Sequence, residues 1–321
     1  LPPIPGIESV PHLTSTTALE LEELPRSLIV LGGGYIGCEL GQMFARMGAR
    51  VTIVDIVPIL SAAEPEISQA LVGYLRDEGI IIYENVKTRA IRATEHGVAL
   101  DVSLDGKDET IEAERILVTT GRRPNTAGLG LEEAGVELLP SGAIKVDDRM
   151  RTTRLGVYAA GDVTGRDMFV YMAAYGAKIA AKNALNGDGL RYDTTAMPAV
   201  VFTDPQAASV GLTEVQAREA GHAVKTSVLP LDQVPRALAA RDTRGLIKLI
   251  ADAGSGKLLG AHVLALEGAD SVQTAALAIK HGLTVAEVAE TIFPYLTTVE
   301  GLKLAAQAFE KDVAKISCCA G

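Results

Sequence analysis

Gly32, Gly34 and Gly37 stand in the pattern GxGxxG, and Asp55 follows Gly37 by 18 residues. Glycines at this spacing have a mechanical reason when a strand precedes them and a helix follows. Gly32 permits a tight turn, Gly34 lets backbone approach a pyrophosphate, and Gly37 lets helix and strand pack closely. The helix start then offers unpaired N–H groups and a positive dipole end to phosphate. Asp55 would accept hydrogen bonds from the ribose hydroxyls of a dinucleotide. A carboxylate there repels the extra phosphate of NADP, and no Arg follows in Ile56-Val57-Pro58-Ile59. The expectation is NADH in preference to NADPH. The bland alternatives are a glycine turn that binds nothing and an Asp55 that only caps a turn.

Near the last residue, Cys318 and Cys319 are adjacent. Neighbouring Cα atoms lie ~3.8 Å apart, short of the roughly 4.4–6.8 Å of an ordinary disulfide. The pair is a poor disulfide and a better ligand set for a soft cation. Two chance cysteines in a frayed terminus are the alternative. Cys38 falls inside the helix after the glycines and reads as buried packing. His12, His96, His222, His262 and His281 are scattered and form no metal spacing.

The elements that must position these residues can be read around them. Ser27–Leu31 is a short apolar run that fits a doubly buried parallel strand. Tyr35 to Met47 has helical apolar spacing with Gly48 as a stop, and Arg50–Asp55 is a second strand. The series has the size of one βαβ unit, about 30 residues. Pro65 and Glu66 suit a helix first turn; that helix should run to about Glu78, before Gly79. Ile80–Tyr83 is a third strand. Val86–Glu112 alternates around a hairpin signal at Asp105-Gly106, and Arg115–Thr119 is another buried strand. Val157–Asp162 reads as strand into turn, followed by a helix over Tyr171–Leu185. From about residue 193 the pattern is α+β, with capping boxes starting at Thr213 and Thr284. Residues 1–24, rich in Pro and Thr, read as an extended connector.

With 40 acidic against 30 basic residues the net charge is −10, which argues against a nucleic-acid partner. No apolar run reaches the ~18 residues of a membrane span, and the first residues lack the pattern of a signal peptide. A cytoplasmic location is the expectation. Three cysteines are too few for a disulfide scaffold.

Three ordered segments carry a resemblance. Gly32-Gly33-Gly34-Tyr35-Ile36-Gly37-Cys38-Glu39-Leu40 resembles the nicotinamide-domain signature of the pyridine nucleotide–disulfide oxidoreductases. Thr119-Thr120-Gly121-Arg122-Arg123-Pro124-Asn125 resembles that family's hinge between nucleotide domains, and Tyr158-Ala159-Ala160-Gly161-Asp162-Val163 its second FAD motif. Residues from about 193 resemble its dimerisation domain. The fold implied is α/β: a Rossmann-type NAD(P)H-binding domain over 25–121, part of an FAD domain over 122–192, and an α+β dimerisation domain over 193–321. Residues 1–24 would be a remnant of the FAD domain. A homodimer and the cofactors FAD and NADH are implied with it.

By the same resemblance Gly32, Gly34, Ile36, Gly37, Asp55 and Gly121 would contact cofactor. Tyr35 would cover the flavin in the nicotinamide pocket, or simply pack on the first strand. Glu39 would approach the nicotinamide amide, or face solvent. Asp162 would hold the flavin ribityl chain, and the helix beginning near Met172 would point its positive end at the flavin ring. Two departures narrow the function. Where the family has His-Pro…Glu, this chain has Phe293-Pro294-Tyr295, with Glu300 kept, and it ends in Cys318-Cys319. Together these resemble the family's mercury(II)-reducing members. A disulfide reductase needs an acid to protonate a leaving thiolate, whereas reduction of a metal ion does not. Tyr295 would orient or ligate Hg(II), with a core aromatic as the alternative, and Tyr295, Glu300 and Tyr35 are the catalytic candidates the resemblance implies. Cys318 and Cys319 would capture the ion for the partner subunit's site.

The family's first FAD unit and its redox Cys-x4-Cys pair have no counterpart in this sequence. The expectation is therefore a C-terminal piece of a longer flavoprotein, or a truncated gene product, that does not turn over alone. The competing functions are a dihydrolipoamide dehydrogenase-like reductase and a non-catalytic, dimeric module that binds nucleotide and mercury.

Overall fold

The computed structural model describes residues 1–311. It divides into two compact units, one formed by Leu1–Thr120 with the chain from Thr195 onward, the other by Gly121–Thr194. The α/β reading holds. In the first unit, helix α1 (Ser15–Leu19) precedes β1 (Ser27–Leu31), α2 (Tyr35–Arg46), β2 (Arg50–Val54), α3 (Pro65–Asp77) and β3 (Ile81–Tyr83). Three antiparallel strands follow, β4 (Lys87–Thr94), β5 (Gly97–Leu104) and β6 (Lys107–Ala113), then β7 (Arg115–Val118). The parallel sheet has the order β3-β2-β1-β7. Four of the five β1 residues are buried, as a strand flanked by parallel neighbours requires. Strand order reverses beside β1, so the crevice at the carboxyl ends of β1 and β7 is the place where such sheets take ligands. The Asp105-Gly106 turn joins β5 to β6 with both residues at positive φ, +51° and +78°, the hand a two-residue hairpin needs.

Residues 1–24 are more than the extended connector expected. Ile4, Ile7, Val10 and Ala18 are buried, and Leu13 bridges Leu117 of β7 in parallel. The cause is non-local. Pro and Thr disguise an apolar set whose partners are strands about 90 or more residues away, including β4, where the Ile91 N–H donates to the Pro5 carbonyl.

The second unit is largely irregular, with a 3-10 turn at Asp162–Thr164 and one long helix, α4 (Val170–Asn186). The strand expected over Val157–Asp162 does not form. Gly156 and Gly161 take positive φ at its two ends, and the stretch between contributes a single bridge, Arg151 to Tyr158.

The first unit continues with β8 (Pro198–Val201), β9 (Gln206–Gly211), α5 (Glu214–Glu219), β10 (Val224–Pro230), α6 (Pro235–Ala240), β11 (Leu246–Asp252) and β12 (Leu258–Ala265). Helices α7 (Gly268–Lys280), α8 (Val285–Glu290) and α9 (Glu300–Gln307) complete it. The strands form one antiparallel sheet, β10-β11-β12-β9-β8, with α7 packed on β12 and β9. Both expected capping boxes are present: the Thr213 side chain accepts from the Gln216 N–H, and that of Thr284 from the Glu287 N–H. One apolar cluster joins Leu28, Val30 and Ile53 of the parallel sheet to Val201, Ala207 and Leu264 of the antiparallel one. This shared core makes the two sheets parts of one unit.

Candidate functional site: the glycine turn and the residues around it

The turn after β1 requires glycine at three of its four glycine positions, for different reasons. Gly32 has φ +109°, and a Cβ there would lie 2.8 Å from the Thr119 carbonyl. A Cβ on Gly37 would lie 1.9 Å from the Gly32 oxygen, so α2 can approach β1 only with hydrogen in that place. Gly33, which the spacing argument passed over, is equally constrained: its Cβ would meet Ile59 Cδ1 at 2.1 Å. Gly34 differs. It is the N-cap of α2, and nothing lies within 4 Å of where its Cβ would be. Open space at a helix N-terminus suits a phosphate group, so these residues fit a dinucleotide pyrophosphate. Thr119, at the end of β7, holds the turn by donating from Oγ1 to the Leu31 and Gly32 carbonyls at 3.0 and 2.8 Å.

Asp55 sits just past β2. Its Oδ2 accepts from the Gly33 N–H at 2.6 Å and its Oδ1 from the Val57 N–H at 3.2 Å. The carboxylate therefore does cap two backbone turns, as the blander reading held, while standing beside the glycine turn. The Leu60 N–H donates to the Gly33 carbonyl, fastening the far side of the same loop. Glu84, after β3, accepts from the Ile59 N–H at 3.0 Å.

Along α2, Tyr35 and Ile36 are half-buried. Tyr35 packs against the core under the parallel sheet, and burial pushes its hydroxyl above the ordinary tyrosine range. Glu39 accepts from the Phe202 N–H at 2.7 Å, so the solvent-facing alternative does not hold. Burial raises its carboxyl and that hydrogen bond opposes the shift. Cys38 is fully buried, and its thiol donates to the Gly33 carbonyl. Burial foremost, then the charges of Glu39, Asp55 and Glu84, push it up to about 12. It is packing, as its place in the helix suggested.

In the second unit, Gly121 takes φ +126° with open space at its Cβ position. Asp162 opens the 3-10 turn and pairs with Arg122 at 3.6 Å, both partly exposed. Helix α4 starts at Val170, two residues before the expected Met172, and its N-cap Phe169 supplies no side-chain cap.

In the C-terminal part of the first unit, Tyr295 is 59% exposed, which removes the core-aromatic alternative. Leu296 has φ +59°. Glu300, buried at the start of α9, accepts from the Leu296 N–H at 3.2 Å, so its carboxylate acts on the backbone beside Tyr295. Cys318 and Cys319 lie outside the described residues. Among the described residues no cluster of His, Cys, Asp and Glu could hold a metal ion, and no helix is long and apolar enough to cross a membrane.

Two profiles match in tandem: pyridine nucleotide-disulphide oxidoreductase over residues 1–178, and the dimerisation domain of that family over 197–306. The chain belongs to the pyridine nucleotide-disulphide oxidoreductase family. Within the family it is 50% identical to a mercuric reductase of Streptomyces lividans, a match covering all of this chain and 68% of that protein. It is 48% identical to a mercuric reductase of Bacillus cereus, again over the whole chain but over 51% of that relative. The chain thus spans roughly half to two-thirds of the length of these curated relatives. Among solved structures, the HOCl-induced flavoprotein disulfide reductase RclA of Escherichia coli superposes with TM-score 0.86 at 34% identity, covering 96% of this chain and 70% of that one.

One cluster in this family member escaped the sequence reading. Lys248 of β11 is buried, and its Nζ meets Glu64 at 2.7 Å, Glu66 at 2.8 Å and Glu214 at 3.1 Å. Burial alone would lower the ammonium's pKa, but the three carboxylates outweigh it and the net shift is upward. His262, the cross-strand partner of Lys248, bonds the Leu212 carbonyl through Nε2 and is held below its ordinary range by burial. A lone Lys in an apolar strand was the available signal, but nothing local named its partners.

Proposed function

We propose that this chain carries the nicotinamide-binding and dimerisation parts of a mercury(II) reductase. The observation that carries the reading is its similarity, along its whole length, to seven curated mercuric reductases at 43–50% identity. The net reaction is NADH + Hg(II) → NAD⁺ + H⁺ + Hg(0), in which two electrons leave the nicotinamide as hydride. FAD, when bound, relays those two electrons to the metal.

Each residue has a part in this reading. Gly32, Gly34, Ile36 and Gly37 seat the pyrophosphate at the start of α2, and Asp55 receives the ribose hydroxyls and disfavours NADPH. Tyr35 walls the nicotinamide pocket. Glu39 steadies α2 against the 202–204 segment. Asp162, Gly121 and the N-terminus of α4 are the groups this chain offers to a flavin. Tyr295 meets Hg(II), and Glu300 sets the backbone turn that presents it. Cys318 and Cys319 take up the ion by thiolate exchange and deliver it to the site of a second subunit, in a cytoplasmic homodimer.

Titration of the purified chain with Hg(II), against a competing thiol, tests the metal half of this reading. Tight binding should vanish in a Cys318→Ala, Cys319→Ala variant. Tight binding that survives both substitutions would overturn it.

A further inference from the structure

We propose that Glu84 is a second determinant of cofactor choice, acting with Asp55 to turn away the 2′-phosphate of NADPH. The inference rests on the NADH reading above and extends it to a residue the glycine fingerprint does not include.

Strands β2 and β3 run parallel with Val54 opposite Tyr83, and the Asp55 N–H donates to the Tyr83 carbonyl at 2.9 Å. Asp55 and Glu84 are therefore the next residues out at two neighbouring carboxyl ends, on strands about 4.8 Å apart. They share one loop. Asp55 accepts from the Val57 N–H, and Glu84 from the Ile59 N–H. Between these anchors run Ile56, Val57 and Pro58, which bring no cation, and Ile56 and Val57 are exposed. Both acids also act on the same interior point, since each contributes to the raised pKa of the Cys38 thiol beneath the glycine turn.

Glu84 has a second effect. Arg76 at the end of α3 lies 3.6 Å from its carboxylate and donates to the Ile82 carbonyl at 3.2 Å. A guanidinium at this sheet edge is the group that would welcome a phosphate, and Glu84 draws it onto itself. A 2′-phosphate bound where Asp55 meets the ribose would bring a charge of nearly −2. For a charge of −2 and one carboxylate about 8 Å apart in a dielectric near that of water, the repulsion amounts to about fivefold in affinity.

The test is a pair of titrations, NADH and NADPH, on the purified chain at low salt, for wild type, Asp55→Asn, Glu84→Gln and the double variant. Gln keeps an oxygen for the Ile59 N–H, removes the charge and frees Arg76 from its ion pair. Glu84→Gln should leave the NADH Kd within about twofold and tighten NADPH about fivefold, a gain that shrinks at high salt. In the double variant the NADPH gain should exceed that of either single change. An unchanged NADPH Kd, or equal weakening of both nucleotides, overturns the role of Glu84 while leaving the NADH reading intact. A wild-type chain that binds neither nucleotide, or NADPH as tightly as NADH, overturns that reading and the Glu84 proposal together.

Discussion

Lys248 offers a large energetic effect from one side chain. It and Glu64 are each 2% exposed, with Nζ and Oε2 2.7 Å apart. Glu66 and Glu214 reach the same ammonium from a partly solvated side, so water screens their share. Glu64 precedes α3 and also accepts from the Glu214 N–H at 2.5 Å. The cluster thereby joins α3 beside the parallel sheet to α5 and to β11 of the antiparallel sheet. Lys248→Met removes the cation and leaves the Glu64 carboxylate in the interior with one backbone donor. Breaking a buried pair from one side costs about 3–5 kcal/mol; the surviving donor places the expectation near the lower end, about 3 kcal/mol. Adding Glu64→Gln removes the stranded charge and should recover more than half of the loss. The chain has no Trp, so far-UV circular dichroism in a urea titration is the assay. A loss under about 1 kcal/mol, or a double variant no more stable than the single one, would refute the reasoning. The pH dependence has a definite sign. The Lys248 pKa is raised in the folded state, so its contribution is complete below about pH 10.4 and fades as pH rises through the folded value. Glu214 is held low, by Arg218 first and Lys248 next, so its contribution is present above about pH 4.3 and fades as pH falls through the folded value.

The glycine turn gives a paired expectation. Gly37→Ala, with its new Cβ 1.9 Å from the Gly32 oxygen, should lower stability by about 1–3 kcal/mol and weaken NADH binding more than tenfold. Gly34→Ala meets no protein atom, so it should melt like wild type and still bind NADH more weakly; normal binding by both variants would remove the turn from the nucleotide site. Cys38, fully buried with its thiol pushed up to about 12, should be inert at neutral pH. In a Cys318→Ala, Cys319→Ala background, a thiol reagent should find nothing in the native chain and one thiol in denaturant, and fast native labelling would contradict the packing.

What the sequence made legible was local. Gly32, Gly34, Gly37 and Asp55 could be placed because a strand, a turn and a helix fix their relative positions within about 30 residues. The ends of α3 and the Asp105-Gly106 turn were readable for the same reason, since Pro65, Gly79 and the two turn residues act on their own backbone. Glu64 and Lys248 were not, because 184 residues separate two groups that meet only after both sheets have formed. The burial of Ile4, Ile7 and Val10 was hidden likewise: Pro and Gly interrupt any period, and the covering strands come much later in the chain. The exposed Tyr295 is followed by a Leu at positive φ, a conformation no composition rule assigns to Leu.

Glu39 shows where local and distant information meet. Glu39, Gln42 and Arg46 fall at intervals of three and four, on one face of α2. Read alone, such a polar stripe is a solvated face. In the fold it meets one short segment: Glu39 accepts from the Phe202 N–H, Gln42 exchanges hydrogen bonds with the Asp204 backbone, and Arg46 pairs with the Asp204 carboxylate at 2.8 Å. Gln42 is only 4% exposed, so its amide depends on those partners. The helix whose N-terminus faces the open Gly34 cradle is thus fixed along its length to the chain leading into β9. The polar stripe was legible from its period. Its meaning was not, because an amide or carboxylate that is expensive to bury becomes favourable only when a particular backbone, here about 160 residues away, arrives to satisfy it.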